Sequence, residues 1–334
     1  KPLDGINGSG KHNNWSLSAD GENLLSPKGN EEQFLLFLTA ILQAVDEYPE
    51  LLRIAAASAG NDHRLGGHEA PPAVLSVFIG DDLEKRIQDF IYNKKSEQSS
   101  NASLNMDVHS LPSFFQDTSD RNRTSPFAFT GNKFEFRMLG SSQSIACSNI
   151  NLNTAVADAL CHFADQIEAS KEDRTTAIRK VIKESYEKHK RIIFNGDGYA
   201  KEWIKEAQKR GLLNLPTTAD TLPCYLNEKN IALFERHKIF TASELRSRYE
   251  ILLENYNNVN SIEAYTMLSI VRKQILPSAM EYSRYLSETI IANKTAIASL
   301  DTSCEEDLLK QIHAIYASAY QKTKKLSDAM NDSV

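Results

Sequence analysis

Residues 132 to 137 alternate strictly between charged or polar and aromatic side chains. This period of two predicts a strand on which Lys133, Glu135 and Arg137 project from one face and Phe134 and Phe136 from the other. Taken alone, the pattern is typical of an ordinary amphipathic strand whose salt-bridged face is solvated. The alternative is that the charged face forms part of a binding site. Motifs elsewhere in the chain are needed to choose between these two interpretations.

Helical spacing of apolar residues predicts helices on both sides of this strand. Before it we expect helices at 31 to 47, 51 to 57 and 83 to 92, a short strand at 73 to 79 and another at 104 to 112. After it we expect helices at 144 to 168, 171 to 192 and 199 to 209. Pro49 is expected to end the first helix and Gly211 the last of these. Residues 5 to 18 and 93 to 103 read as loops.

From Asn227 onward the pattern predicts helices only, at about 227 to 237, 241 to 257, 260 to 298 and 302 to 331. Pro277 should kink the third of these. Two heptad-like stripes stand out: Leu268, Val271, Ile275, Ala279, Tyr282 and Leu286, and Leu308, Ile312, Ile315, Ala319, Leu326 and Met330. Such stripes either form the core of an intramolecular bundle, which is the favoured interpretation, or bind a partner.

Composition narrows the class of protein. The 334 residues are 41% hydrophobic and 25% charged, with a net charge of -6, as in ordinary globular proteins. We therefore expect neither nucleic-acid binding nor a membrane span, and a cytoplasmic location. The four cysteines form no CxxC pair, so we expect buried, reduced thiols. Because the chain starts without Met, we expect it to be the C-terminal piece of a longer protein.

Candidate chemistry gathers in the first 140 residues. His12 lies in a glycine-rich stretch, Arg64 and Glu69 lie in a second loop, Arg123 lies in a third, and the charged strand follows. Arginine forks suit carboxylates and phosphates, and a histidine with a carboxylate can hold a divalent cation. This set suits phosphoryl transfer to a carboxylate, because that chemistry depends on positioning and on neutralising charge.

Four segments, in order, resemble glutamine synthetases, specifically their type III branch. They are Asn7-Gly8-Ser9-Gly10-Lys11-His12, His63-Arg64-Leu65-Gly66-Gly67-His68-Glu69-Ala70-Pro71-Pro72, Asn122-Arg123-Thr124-Ser125-Pro126-Phe127 and Lys133-Phe134-Glu135-Phe136-Arg137. They look like that family's NGSGxH, RLxxGxEAP, NRS-type and R-x-E-x-R motifs. Any one of these segments is a weak signal, whereas four in the same order are specific.

The resemblance implies a role for each residue. His12 and Glu135 would be metal ligands. Asn7, Gly8, Arg64 and Arg137 would bind glutamate. Asn14, Ser16, Arg123 and Lys133 would contact ATP. Glu69, Arg123 and Arg64 would be catalytic, with Glu69 on a flap that closes over the reacting groups. This sequence departs from the family pattern at Asn14, where a histidine is usual, at Lys133, where arginine is usual, and at Ala128, where many relatives have a second arginine.

The implied reaction is ATP-dependent ligation of ammonia to the γ-carboxylate of glutamate through γ-glutamyl phosphate. Two or three Mg²⁺ or Mn²⁺ ions would assist, with ATP as a substrate. The implied assembly is a ring-based homo-oligomer, a dodecamer, with sites between subunits. Two alternatives remain: a catalytically silent scaffold of the same family, or a ligase that uses another amine. The scaffold would be expected to lose His12, Glu69, Glu135 or Arg137, and all four are present.

The implied fold is α+β. Residues 1 to 165 would form the C-terminal part of the catalytic domain, an antiparallel sheet curved into a half-barrel with helices. Residues 166 to 334 would form a helical C-terminal extension with long kinked helices. The family takes further glutamate ligands from strands that precede NGSGxH, so this chain alone is expected to lack a complete site.

Overall fold

The computed structural model describes residues 10 to 27, 29 to 67, 70 to 92 and 124 to 332. The chain divides into two compact units, Lys1–Leu253 and Glu254–Val334. The α+β class is confirmed, and most of the described residues are helical. The division at residue 165 does not coincide with the boundary between these units. The prediction that residues 1 to 165 belong to a catalytic domain and residues 166 to 334 to an extension stays a prediction.

The charged strand lies inside a four-stranded sheet of the first unit. The strands are β1 (Gly10–Trp15), β2 (Ser18–Ala19), β3 (Glu22–Asn23), β4 (Val77–Phe78), β5 (Phe127–Phe129) and β6 (Phe134–Gly140). The sheet order is β1-β6-β5-β4, and β2 and β3 pair separately. β6 pairs antiparallel with both β1 and β5, whereas β4 and β5 are parallel. The sheet is therefore mixed, and its curvature into a half-barrel stays a prediction.

Helices cover the apolar side of this sheet. Those of the first unit are α1 (Glu31–Glu47), α2 (Pro49–Ala55), α3 (Ala59–Asp62), α4 (Asp81–Ile91), α5 (Ala146–Ala169), α6 (Arg174–His189), α7 (Lys201–Lys209), α8 (Thr218–Thr221) and α9 (Glu228–Arg236). α1 packs against α5 and α6. Its spacing of apolar residues buries almost the whole helix, and the Asn30 side chain caps it by accepting from the Gln33 N–H at 3.2 Å.

The phenylalanines of the charged strand are part of the main core. Phe134 and Phe136 are fully buried, and Phe127 of β5 stacks on Phe134 with ring centroids 4.7 Å apart. The strict alternation of the sequence is therefore confirmed as one apolar and one polar face. The apolar face anchors β6 rigidly, so the polar face is held on a fixed base.

Several predicted elements of the first half differ from the structure. β1 occupies residues that the sequence analysis read as loop, and Lys133 precedes β6 instead of belonging to it. Pro49 starts α2, because its missing N–H is not needed at the first position of a helix. The strand expected at 73 to 79 is only Val77–Phe78. The loop at 93 to 103 and the strand at 104 to 112 lie outside the described residues.

Long helices make up the second unit. They are α10 (Ala242–Ile270), which begins in the first unit, α11 (Leu276–Ala296) and α12 (Ser303–Asp332). The break predicted between 257 and 260 is wrong, because α10 holds no glycine or proline that would end it. Just before Pro277 the helix contains a π-helical segment, Val271–Ile275, and the kink itself stays a prediction. Proline clashes with the carbonyl four residues earlier, here that of Lys273 inside this segment.

All four cysteines are free, but Cys161 and Cys304 are exposed, so the expectation of buried thiols is wrong for these two. In the part of the chain that the structure describes, no helix combines the length and apolar character needed to cross a bilayer.

The N-terminal cap of α6 makes the stability of this helix depend on pH. The Asp173 carboxylate accepts from the N–H of Thr176 at 3.2 Å and from its hydroxyl, and these bonds hold the pKa of Asp173 below its ordinary value of 3.8. A lowered carboxyl pKa stabilises the folded state above the ordinary value, and the stabilisation is lost as pH falls through the lowered value. We expect Asp173→Ala to lower the melting temperature at pH 7 and to have a smaller effect at acidic pH, where the Asp173 carboxyl becomes protonated. The exposed neighbour Glu172 provides the matched control, Glu172→Ala, and an equal effect of both substitutions at pH 7 would contradict the cap.

Candidate functional site

The polar face of the β1–β6 pair brings the sequence-predicted metal ligands together. Asn14 lies opposite Glu135 in the ladder. Further along, Lys11 pairs with Leu139 and Asn13 with Phe136, so that two residues of β6, Arg137 and Met138, oppose the single residue His12. Such a bulge re-aims the side chains around it. It helps to bring His12 and Arg137 toward the same carboxylate.

The carboxylate of Glu135 lies between an imidazole and a guanidinium. Its Oε2 atom is 3.3 Å from Arg137 Nη2 and 3.6 Å from His12 Nδ1. The Arg137 side chain is 4% exposed, whereas that of Glu135 is 19% and that of His12 is 30% exposed. The buried cation thus holds the carboxylate from behind, and the imidazole is the more exposed of its two partners.

The pair His12 and Glu135 fits part of a divalent metal site. An imidazole nitrogen and a carboxylate oxygen on neighbouring strands are donors that Mn²⁺ and related ions accept, and a carboxylate suits Mg²⁺. Over the described ranges, however, no group of three or more His, Cys, Asp or Glu side chains is placed to hold a metal ion. The two residues fit as two ligands of a site, and a full set requires donors from beyond the described residues.

The opposite face of β1 fixes this strand against α5. Asn13 donates through Nδ2 to Asn149 Oδ1 at 2.7 Å, and Trp15 donates through Nε1 to Asn153 Oδ1 at 2.8 Å. Both donors are buried, and such groups need partners in the folded state. These bonds orient β1 so that the alternate residues, His12 and Asn14, lie on the polar face.

Arg64 is anchored to the main chain of β6. It is 3% exposed, and its Nη1 donates to the carbonyls of Met138 at 3.0 Å and Leu139 at 3.2 Å and to Asn61 Oδ1 at 3.0 Å. Burial lowers the pKa of Arg64, and the nearby Tyr199 opposes that shift. The described contacts support a positioning role for Arg64 behind the polar face. Glutamate binding by Arg64 stays a prediction.

Two residues near Arg64 were not found from the sequence. Asn61 is buried and donates through Nδ2 to the carbonyls of Ala56 at 2.6 Å and Met138 at 2.8 Å, which fixes it as a partner of Arg64. Asn61 and Arg64 are three residues apart, which is about one helical turn, and this spacing could have indicated that their side chains are neighbours. Tyr199 had no such signal, because it comes from a distant part of the chain.

Three candidate nucleotide-binding residues lie toward the start of β6. The Ser16 hydroxyl donates to Asn23 Oδ1 at 2.8 Å and to the carbonyl of Asn132 at 3.1 Å. Asn132 directly precedes Lys133 in the sequence. Asn14 is exposed and faces Glu135 across the ladder. The structure places Asn14, Ser16 and Lys133 along one end of the polar face. Nucleotide contact by these residues stays a prediction.

Four candidate residues, Asn7, Gly8, Glu69 and Arg123, lie outside the described residues. The segment that follows Arg123 is described. There the Gly198 N–H donates to Thr124 Oγ1 at 3.1 Å, and a side chain at Gly198 would overlap the Thr124 carbonyl. The loop that carries Tyr199 is therefore fitted against the start of the arginine segment.

Comparison with known proteins identifies relatives over most of the chain. The family model described as glutamine synthetase C-terminal domain matches residues 177 to 294. The chain is 46% identical to the type-3 glutamine synthetase of Dictyostelium discoideum over 296 residues, which is 87% of this chain and 40% of that protein. It is 41% identical to a glutamine synthetase of Butyrivibrio fibrisolvens, covering 99% of this chain and 47% of that protein. It is 38% identical to a glutamine synthetase of Bacteroides fragilis, covering 93% of this chain and 45% of that protein. The chain thus spans less than half the length of these relatives.

Gly10 allows Arg64 to lie against β1. A Cβ atom added at Gly10 would overlap the Nη2 and Cζ atoms of the buried Arg64 side chain. We expect Gly10→Ala to lower the free energy of unfolding by about 1–3 kcal/mol, the usual range for overpacking a filled site, as measured by urea denaturation. Gly60→Ala in α3 is the control, since a Cβ there meets nothing within 4 Å. Equal stability of the two variants would show that Arg64 is not fixed at this position.

Proposed function

Because the chain belongs to the glutamine synthetase family over the part that it shares with its relatives, we propose that the intact protein is an ATP-dependent ligase. It joins ammonia to the γ-carboxylate of L-glutamate and gives glutamine, ADP and phosphate. The observation that carries this proposal is the meeting of His12 and Glu135, 3.6 Å apart, beside Arg137 on one face of the sheet.

In this proposal the described residues bind and orient. His12 Nδ1 and Glu135 Oε2 would hold one divalent cation, Mg²⁺ or Mn²⁺, out of the two or three that each site uses. When bound, these ions supply positive charge at the ATP phosphates. Arg137 keeps the Glu135 carboxylate in place through its 3.3 Å contact, and in this proposal it would also bind a carboxylate of glutamate. Asn14, Ser16 and Lys133 line the approach of ATP from the start of β6.

The chemical step needs the groups of all four motifs. The γ-carboxylate of glutamate attacks the γ-phosphorus of ATP, the bond to ADP breaks, and γ-glutamyl phosphate forms. Arg123 would neutralise the transferring phosphoryl group, and Asn7 and Gly8 would hold glutamate. Ammonium loses a proton to Glu69, and the ammonia attacks the acyl carbon and expels phosphate. A flap that carries Glu69 would exclude water, because an exposed acyl phosphate would hydrolyse.

The proposal extends to assembly and place. The chain spans less than half of its relatives, and the described residues supply only two metal donors. Further ligands from preceding strands and from a neighbouring subunit would complete each site. This requires self-association, which we propose as a cytoplasmic ring-based homo-oligomer, a dodecamer, with the sites between subunits.

The Glu135 assignment predicts a loss of metal-dependent nucleotide binding. In the intact protein we expect Glu135→Gln and Glu135→Ala to weaken ATP binding in the presence of Mn²⁺ by tenfold or more, because one charged metal ligand is removed. Titration calorimetry with Mn²⁺ and then with a chelator separates metal-dependent from metal-independent binding.

Glu31→Gln is the matched control for this experiment. Glu31 is also a carboxylate paired with an arginine, since its Oε1 is 2.6 Å from Arg86 Nε, but it lies on α1 and not on the polar face. The control should bind ATP and Mn²⁺ like the parent protein. If the Glu135 variants do so as well, Glu135 is not a metal ligand.

The identity of the acceptor amine can be measured directly. We expect the intact protein to release phosphate from ATP when glutamate and ammonium are present together, and to release much less with a series of polyamines. If phosphate were released with polyamines but not with ammonium, the acceptor would be a polyamine and not ammonia. Binding of ATP without release for any amine would identify a silent scaffold of the family.

A further inference from the structure

The small hairpin β2–β3 contacts the turn that leads into Lys133. Its two strands are two residues each, and Asp20 and Gly21 alone form the loop between them. Both loop residues have positive φ, 51° for Asp20 and 82° for Gly21, as a type I′ hairpin turn requires. The Asp-Gly sequence therefore reverses the chain within two residues and returns it to Asn23, the last residue of β3.

The Asn23 side chain is tied to a segment that enters the core. Leu25 is fully buried in the main core of the first unit, and its N–H donates to Asn23 Oδ1 at 2.9 Å. Asparagine side chains commonly accept from the main-chain N–H two residues later, which fixes their orientation. The N–H of Leu24 donates to the Leu17 carbonyl at 2.9 Å and continues the hairpin ladder. Asn23 thus projects from a fixed base.

The free end of the Asn23 amide reaches across to the loop between β5 and β6. Its Nδ2 donates to the carbonyl of Asn132 at 2.8 Å. The Ser16 hydroxyl lies 3.1 Å from the same carbonyl and 2.8 Å from Asn23 Oδ1. A hydroxyl has one hydrogen and can donate to only one of these acceptors at a time, whereas an amide nitrogen has two hydrogens. Asn23 is therefore the constant donor to Asn132.

The loop that Asn23 holds is an exposed turn. Residues 130 to 133 connect β5 to β6, and the N–H of Thr130 donates to the Lys133 carbonyl at 2.8 Å. Gly131 has a φ of 94°, a conformation that favours glycine, and both Gly131 and Asn132 are exposed. Exposed loop tips are among the least stable parts of a fold. The bond from Asn23 joins this tip to a segment that is anchored in the core.

The position of this turn matters for Lys133 because of its side-chain chemistry. A lysine ammonium is a point charge at the end of a flexible four-carbon stem, and it lacks the planar fork with which arginine grips a phosphate. The location of its charge therefore depends on where the main chain holds the base of the stem. Asn132, whose carbonyl Asn23 binds, is the residue directly before Lys133.

We propose that Asn23 is a positioning residue for nucleotide binding, which holds the turn at Asn132 so that the Lys133 ammonium meets the phosphates of ATP. This inference rests on the proposed function, which supplies ATP as the ligand and Lys133 as its contact. It adds a residue that lies outside all four motifs of the sequence. Asn23 acts through Lys133 and leaves the metal pair, His12 and Glu135, unchanged.

Calorimetry on the intact protein tests this role. We expect Asn23→Ala to weaken ATP binding in the presence of Mn²⁺ roughly two- to tenfold, the usual effect of losing one hydrogen bond. Binding of Mn²⁺ alone should be unchanged. Asn23→Ser is a second variant that preserves the hairpin, because a serine oxygen can still accept from the Leu25 N–H, but it lacks the amide donor. It should weaken ATP binding to a similar extent.

Asn149→Ala is the matched control. Asn149 is also an asparagine with one bond to a distant segment, since its Oδ1 accepts from Asn13 Nδ2 at 2.7 Å, but it lies on the opposite face of β1. Asn13 keeps its second bond, to Ser148 Oγ at 3.2 Å. The control should bind ATP like the parent protein. An equal loss of ATP binding in the control, or a parallel loss of Mn²⁺ binding in the Asn23 variants, would indicate general loosening of the sheet and overturn the proposal.

Combination with Lys133→Ala separates positioning from other effects. In the Lys133→Ala background we expect Asn23→Ala to cause no further loss of ATP affinity, because the group that it positions is absent. A loss that persists in this background would overturn the proposal. If Lys133→Ala weakens ATP binding and the Asn23 variants bind like the parent, this inference alone is wrong. If Lys133→Ala itself binds ATP like the parent, the contact assigned to Lys133 in the proposed function is wrong, and the role of Asn23 is overturned with it.

Discussion

The buried guanidinium of Arg64 is the interaction on which the polar face of the sheet depends. Its donors bind the carbonyls of Met138 and Leu139, next to the bulge in the β1–β6 ladder. A buried charge is tolerated only with such partners. The same contact explains why position 10 holds a glycine, since Arg64 fills the space that a side chain would need. One residue thus couples a loop and two strands.

Above this anchor, the side chains of the site lie in layers of increasing exposure. Phe134 and Phe136 hold β6 from the core, Arg137 holds Glu135 from behind, and the carboxylate meets His12 at a partly open surface. Each layer is less buried than the one beneath it. Metal and phosphate chemistry requires rigid support below an accessible donor pair. The donor side chains must keep their geometry while the bound ion or phosphate exchanges.

The second unit follows a different physical logic. Its helices leave large apolar side chains exposed, among them Tyr282, Tyr285 and Ile315. In the first unit apolar residues are covered by elements of the same chain, with α1 almost fully enclosed. The ionisable motifs, by contrast, are concentrated in the first 140 residues.

Local periodicity and short motifs were sufficient to predict a part of this structure. The alternation around Glu135 predicted the two faces of β6, the spacing in α1 and α5 predicted their extents, and the order of four motifs indicated the family. Which side chains contact each other, however, depends on the folding of distant segments onto one another. The 3.6 Å approach of His12 to Glu135, the bulge opposite His12, and the bonds from Arg64 to β6 join residues that are more than 70 positions apart in the chain. The exposure of Ile315 was equally out of reach, because a heptad stripe reads the same whether its partner helix belongs to its own chain or to another.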